Sequence, residues 1–175
     1  HIKTYILILF QTHLIKVGLI GAGYIATWHA DAVQACPDAQ LSCICDVSAT
    51  AAKGLAQGYG IAAYTSVEDM IASGTVQAVH ILTPPHLHHP IALQCIEAGL
   101  HVIVEKPVAL SAAETQEITE AAKARGVQFA AGHNFLGVPS YQRLKTAVQA
   151  GDLGKVSSVE VTWALPMGPL RAGPY

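Results

Sequence analysis

The chain has 175 residues, of which 51% are hydrophobic and only 13% charged, with a net charge of −2. A charged fraction well below the usual ~25% argues for a buried core and against disorder, and with no basic block there is no electrostatic footprint for nucleic acid. The length suits one domain, or one domain with part of another.

Residues 1–14 come first along the chain. Their apolar patch Tyr5–Phe10 is interrupted by Gln11, Thr12 and His13, well short of the ~18 apolar residues a membrane span needs. No cleavage-site pattern follows, and we read this stretch as an extension outside the fold. Ile15–Ile20 predicts a first strand and Gly23–Ala35 the helix after it. Leu41–Cys45 is a second strand ending in Asp46, Ser48–Gln57 a helix closed by Gly58-Tyr59-Gly60, and Ile61–Tyr64 a short third strand. Ser66-Val67-Glu68-Asp69 opens a short helix to about Ser73, the serine oxygen accepting a first-turn amide. Val76–Leu82 is a fourth strand, ended by Thr83-Pro84-Pro85 because proline supplies no ladder donor. Pro90–Ala98 is a helix stopped by Gly99, and His101–Val104 a fifth strand leading to Glu105-Lys106-Pro107. Ser111-Ala112-Ala113-Glu114 is a capping box for a helix to about Arg125, and Val127–Ala131 is a sixth strand.

Strands alternating with helices in this way imply a doubly wound parallel sheet of the Rossmann type over residues 15–134. Right-handed crossovers place every strand's C-terminal end on one edge, and ligands of such sheets bind beyond it. Gly21–Gly23, Asp46, Thr83–Pro85, Glu105–Pro107 and Gly132–Asn134 all follow strands there. Residues 135–175 break the rhythm: Pro139–Ala150 is a helix, and Lys155–Leu165 alternates as one strand of a second, mostly antiparallel α/β domain. A lone strand before Pro166, Gly168, Pro169, Gly173 and Pro174 makes no domain by itself, so we expect only the start of that domain in this chain.

Gly21-Ala22-Gly23 follows a strand and opens a helix. Gly21 allows a tight turn, Gly23 lets backbone approach a pyrophosphate, and the helix start supplies free amides. Ala26 stands at the third glycine position, which the fingerprint tolerates. The alternative is a plain βα turn. Asp46, 25 residues after Gly21, suits an adenosine ribose and would repel a 2′-phosphate, which favours NAD over NADP, NADP staying open; the alternative is a solvated turn aspartate. Lys106, at the same edge, would hydrogen-bond a substrate oxygen, or else form a surface ion pair with Glu105. His86, His88 and His89 invite a metal reading, but no carboxylate or thiolate accompanies them locally; we expect one histidine at a helix start near the cofactor, and no metal. His29, His80 and His101 are read as packing histidines, and His133 as facing the crevice. Cys36, Cys43, Cys45 and Cys95 show no CxxC spacing, and free thiols predict a cytoplasmic protein.

Assembled, the chain from about Lys16 to Leu165 resembles the glucose-fructose oxidoreductase / inositol dehydrogenase / rhizopine-catabolism (Gfo/Idh/MocA) family. The resemblance rests on Gly21-Ala22-Gly23-Tyr24-Ile25-Ala26, Thr83-Pro84-Pro85-His86-Leu87-His88, Ala98-Gly99-Leu100-His101-Val102, Glu105-Lys106-Pro107 and Gly151-Asp152-Leu153-Gly154-Lys155-Val156. It implies a Rossmann domain followed by a domain with a large, mostly antiparallel sheet. The implied activity is NAD(P)-dependent hydride transfer on a sugar, inositol or related polyol, in a full-length protein that is a homo-oligomer. The rival is a binding protein that senses NAD(H) or a sugar on the same fold. By position the resemblance implies that Gly21, Gly23, Tyr24 and Ile25 hold the pyrophosphate and Asp46 the adenosine ribose. Thr83, Pro84 and His88 would line the nicotinamide side, Glu105 the nicotinamide ribose, and Asn134 cofactor or substrate. Lys106 would be the active-site lysine. Many members carry an arginine where this chain has Phe135-Leu136-Gly137, and the family's second-domain Asp/His pair is expected beyond Tyr175.

Overall fold

The protein is described by a computed structural model covering residues 14–162 and 164. The extension expected at 1–14 therefore lies outside the described residues, Leu14 excepted. Six strands form one sheet: β1 (Ile15–Ile20), β2 (Ala39–Cys45), β3 (Ala62–Tyr64), β4 (Ala78–Ile81), β5 (His101–Val104) and β6 (Phe129–Ala131), in the order β3-β2-β1-β4-β5-β6. Every pairing is parallel. The order reverses between β1 and β4, the switch point where such sheets bind ligands.

Two apolar layers sandwich the sheet, because side chains of a strand alternate between its faces. Val17, Leu19, Leu41 and Ile44 face the helices α1 (Ala26–Ala35) and α2 (Ala49–Tyr59), which contribute Ala26, Ala30, Val33 and Ala56. Ile20, Cys43, Cys45, Val79 and Ile81 face the other way. They meet Met70 of α3 (Val67–Ala72), Ala92, Cys95 and Ile96 of α4 (Pro85–Glu97), and Ile118 and Ala122 of α5 (Ala112–Arg125). Small alanines on α1 and α2 bring their backbones close to the sheet. Cys43 and Cys45 do share a face, as the alternation predicts.

The capping serines Ser66 and Ser111 accept from the amides of Asp69 and Glu114, as expected, and Ser48 caps α2 in the same way, accepting from Ala51. Glu114 reaches back to the Leu110 amide, at 2.8 Å.

Three expectations need correction. Helix α2 runs through Gly58 and Tyr59 and stops only at Gly60, whose φ of 66° is left-handed. Helix α4 begins at Pro85 rather than Pro90. A proline's missing N–H costs nothing at a first helical position, so Pro85 opens the helix, and Pro90 sits inside it at the loss of one backbone bond. The strand expected at Lys155–Leu165 is not formed: the described residues 155–162 carry no regular structure. A strand needs a neighbour for its amides and carbonyls, and no other described segment pairs with this one.

The chain divides into two compact units between Gly132 and His133. The second holds a short 3-10 helix, Asn134–Gly137, and helix α6 (Pro139–Ala150). No helix among the described residues is long and apolar enough to cross a membrane.

Candidate functional site

The C-terminal edge of the sheet gathers the turns that follow β1, β2, β4 and β5. Gly21 turns the chain out of β1 with φ of 105°, a conformation that favours glycine. A Cβ there would lie 2.9 Å from the Leu82 carbonyl carbon and oxygen and 3.0 Å from the Thr83 nitrogen. Gly21 is thus required twice, by its dihedral and by its neighbour. Gly23 differs: a Cβ built on it meets nothing within 4 Å. It leaves open space beside the backbone at the entry to α1, whose first-turn amides lack intrahelical acceptors.

Asp46, beyond β2, holds this loop. Its Oδ2 accepts from the Ala22 amide at 2.7 Å and its Oδ1 from the Ser48 amide at 2.8 Å. A carboxylate has about four lone-pair positions, so two remain for another partner. Between this loop and the turn after β4 lies a cleft of about 420 Å³, within the ~300–1,000 Å³ typical of small-molecule sites. Gly21, Gly23, Asp46, Thr83 and Pro84 all line it. Its apolar wall comes from Val47, Leu87 and Ile91, and its far end from Glu68 and Gln94. Gln94 donates to Glu68 Oε1 at 2.6 Å; the Glu68 carboxyl is held below its ordinary range, first by its own backbone amide and then by Gln94.

Thr83 Oγ1 is buried with no hydrogen-bond partner among the described residues. Buried hydroxyls are seldom left so, and Thr83 lines the cleft, so its hydroxyl is a candidate partner for a ligand's polar atom. Tyr24 is exposed, whereas Ile25 packs against the core behind α1, so Ile25 has only its backbone to offer. His88, by contrast, is buried, with Nε2 2.7 Å from the Thr83 carbonyl oxygen and Nδ1 2.8 Å from that of Pro107. Both ring nitrogens face backbone carbonyls, to one of which a neutral ring donates, so His88 shapes the rim rather than presenting itself to the cleft. His89 bonds Glu117 at 2.8 Å and His86 is exposed. Among the described residues no cluster of three or more His, Cys, Asp or Glu could hold a metal ion.

After β5, Glu105 turns its carboxylate inward. Oε2 accepts from the Lys106 amide at 2.9 Å and Oε1 lies 3.2 Å from His29 Nε2. Lys106 itself is exposed, ahead of a cis bond to Pro107. His29 Nδ1 lies 3.0 Å from His80 Nδ1. Burial, and secondarily His29, pushes His80 down to about 4. The sequence marks His29 and His80 only as packing histidines; their link to the Glu105 turn emerges from the fold. The available signal was a histidine inside the apolar strand β4, which needs a polar partner. Glu68, Leu87, Ile91 and Gln94 were missed too; they lie on helices α3 and α4, and nothing in their spacing marks them. Asn134 is exposed at the start of the second unit's 3-10 helix.

A parallel sheet of this order, with a glycine turn, an aspartate beyond β2 and a cleft at the switch point, defines a dinucleotide-binding α/β domain. Residues 15–133 match the family model described as the oxidoreductase family with an NAD-binding Rossmann fold, GFO_IDH_MocA, and the chain belongs to this family. It is 30% identical over 155 residues to the myo-inositol 2-dehydrogenase of Thermotoga maritima, covering 88% of this chain and 46% of that protein. It is 31% identical over 158 residues to the 1,5-anhydro-D-fructose reductase of Ensifer adhaerens, covering 89% and 47%. The WlbA dehydrogenase from Bordetella pertussis, solved in complex with NADH and UDP-GlcNAcA, superposes with a TM-score of 0.77 at 30% identity over 82% of this chain and 45% of that one. The chain spans less than half the length of these relatives.

Proposed function

We propose that this chain is the cofactor-binding part of an NAD-dependent oxidoreductase acting on a CH–OH group of a sugar, inositol or related polyol. The observation that carries the reading is the cleft's own fit to a dinucleotide. It combines a glycine turn that no other residue could replace, open space at Gly23, and an orphaned Thr83 hydroxyl on the opposite wall. The relatives' names support the substrate class.

On this reading the amides of Tyr24 and Ile25, at the start of α1, receive the pyrophosphate beside Gly23. The free lone pairs of Asp46 accept the adenosine ribose hydroxyls, and its charge disfavours the 2′-phosphate of NADP. Thr83 and Pro84 bound the nicotinamide side, with His88 holding their turn in place. Glu105 would contact the nicotinamide ribose, and the family resemblance assigns Asn134 to cofactor or substrate. Bound NAD supplies the hydride acceptor. Lys106 donates a hydrogen bond to the reacting oxygen, orienting the C–H that breaks; the hydroxyl proton needs a general base, expected from the second domain. Residues 135–175 are the start of that domain, and the full-length enzyme is a homo-oligomer.

The test is fluorescence titration with NADH. Binding that is lost in Gly23→Trp is expected; unchanged affinity would sink the reading. Polyol-dependent NADH formation by the full-length protein, lost in Lys106→Ala, separates an enzyme from a cofactor sensor.

A further inference from the structure

The His80–His29–Glu105 chain joins three elements that are far apart in sequence. His29 stands on α1, one turn beyond Ile25; His80 lies within β4; Glu105 follows β5. The rings of His29 and His80 meet edge to face, with centroids 5.1 Å apart and planes at 78°. Glu105 and His29 are largely buried, at 15% and 17% side-chain exposure.

The partners fix the proton positions. A carboxylate only accepts, so His29 Nε2 carries hydrogen toward Glu105. In a neutral ring Nδ1 is then bare and must accept, so His80 Nδ1 donates to it across 3.0 Å. Burial, and secondarily His29, lowers His80, which agrees with a neutral ring in this donor role. The Glu105 carboxylate, pinned at Oε1, is left with Oε2 on the Lys106 amide. Gly132 closes the remaining side: a Cβ there would lie 3.1 Å from Glu105 Oε1.

We propose that His29 is a positioning residue, which fixes the Glu105 carboxylate and through it the turn that presents Lys106. Helix α1, whose N-terminus faces the glycine loop, thereby also sets the β5 turn on the other side of the switch point. His29 is not among the residues lining the cleft; it acts through Glu105. The inference rests on the cofactor reading above for its ligand arm only.

The experiment has two arms on the full chain. In the first, hydrogen exchange of the Lys106 amide is measured without ligand. It is expected to be protected in the wild type, to exchange about tenfold faster in His29→Ala, and to recover in His29→Gln, which keeps a donor at the ring Nε2 position. In the second, NADH and ADP, which lacks the nicotinamide ribose, are titrated in parallel. The His29→Ala variant is expected to weaken NADH about tenfold, the scale of one hydrogen bond to a charged group, and to leave ADP unchanged, since Asp46 and the glycine loop stand apart from Glu105. Equal loss of both ligands, or unchanged Lys106 exchange, overturns the inference. A wild-type chain that binds neither ligand overturns the cofactor reading instead, and the exchange arm then decides the inference alone.

Discussion

Thr83 and Pro107, on the turns after two neighbouring strands, flank one buried ring: His88 Nε2 lies 2.7 Å from the carbonyl oxygen of the first and Nδ1 2.8 Å from that of the second, and a neutral ring donates to one of them and packs against the other. The ring therefore spans the rim of the cleft from the Thr83 turn to the Lys106 turn. Replacing His88 by alanine removes that bridge and leaves a buried void. We expect a loss of about 3 kcal/mol, the scale of large-to-small changes in a core, read as a lower Tm by differential scanning fluorimetry. An unchanged Tm would show that the ring is dispensable.

The two glycines of the loop should separate fold from ligand. Gly21→Ala forces a Cβ into the Leu82 backbone at 2.9 Å and a residue into φ of 105°. It should destabilise by roughly 2–4 kcal/mol. Gly23→Ala meets nothing within 4 Å, and should leave stability within about 1 kcal/mol while weakening NADH at least about tenfold. Denaturant melts and NADH titrations on both variants check this. Equal behaviour of the two would contradict the geometry.

The depressed His80 predicts a pH dependence. Its value in the folded protein, about 4, lies below the 6.5 of the free side chain, so between those values the unfolded chain binds the extra proton. Stability from this group is fully present above about pH 6.5 and is lost progressively as pH falls toward 4. The span corresponds to roughly 3 kcal/mol at most. Carboxylates titrate in the same window, so the measurement is the difference in unfolding free energy between wild type and His80→Gln at pH 7 and pH 4.5. A difference independent of pH would refute the assignment.

Three of the four cysteines are buried, and desolvation pushes Cys43 and Cys95 to about 12 and Cys45 to about 11. The thiolate is the reactive form. At pH 8 a disulfide reagent should titrate Cys36 rapidly in the native protein, and Cys43, Cys45 and Cys95 only after denaturation. Rapid labelling of all four would mean that the sheet opens readily.

The sheet and most of its helices were legible because short apolar runs, serine caps and glycine stops agreed with one another. Strand β1 was placed to the residue, as were β5 and α6. The start of α4 was not, since proline marks both the end of a strand and the opening of a helix, and only the folded backbone, with Pro85 at the first helical position, shows which applies. The glycine turn, Asp46 and the Thr83 turn were readable as strand-end residues on one edge, and they do line one cleft. The links from His29 and His80 to Glu105 were not readable. They cross three elements, and local spacing carries no record of which strands become neighbours.

The close seating of Gly21 against Leu82 and Thr83 also bears on ligand traffic. With backbone pressed on backbone at the throat, the two lips cannot spread apart without tearing strand ends from the sheet. A molecule in the cleft therefore rests against an unyielding floor, and any give in the site has to come from the side chains of the rim, such as Val47 and Leu87, rather than from the backbone at the throat.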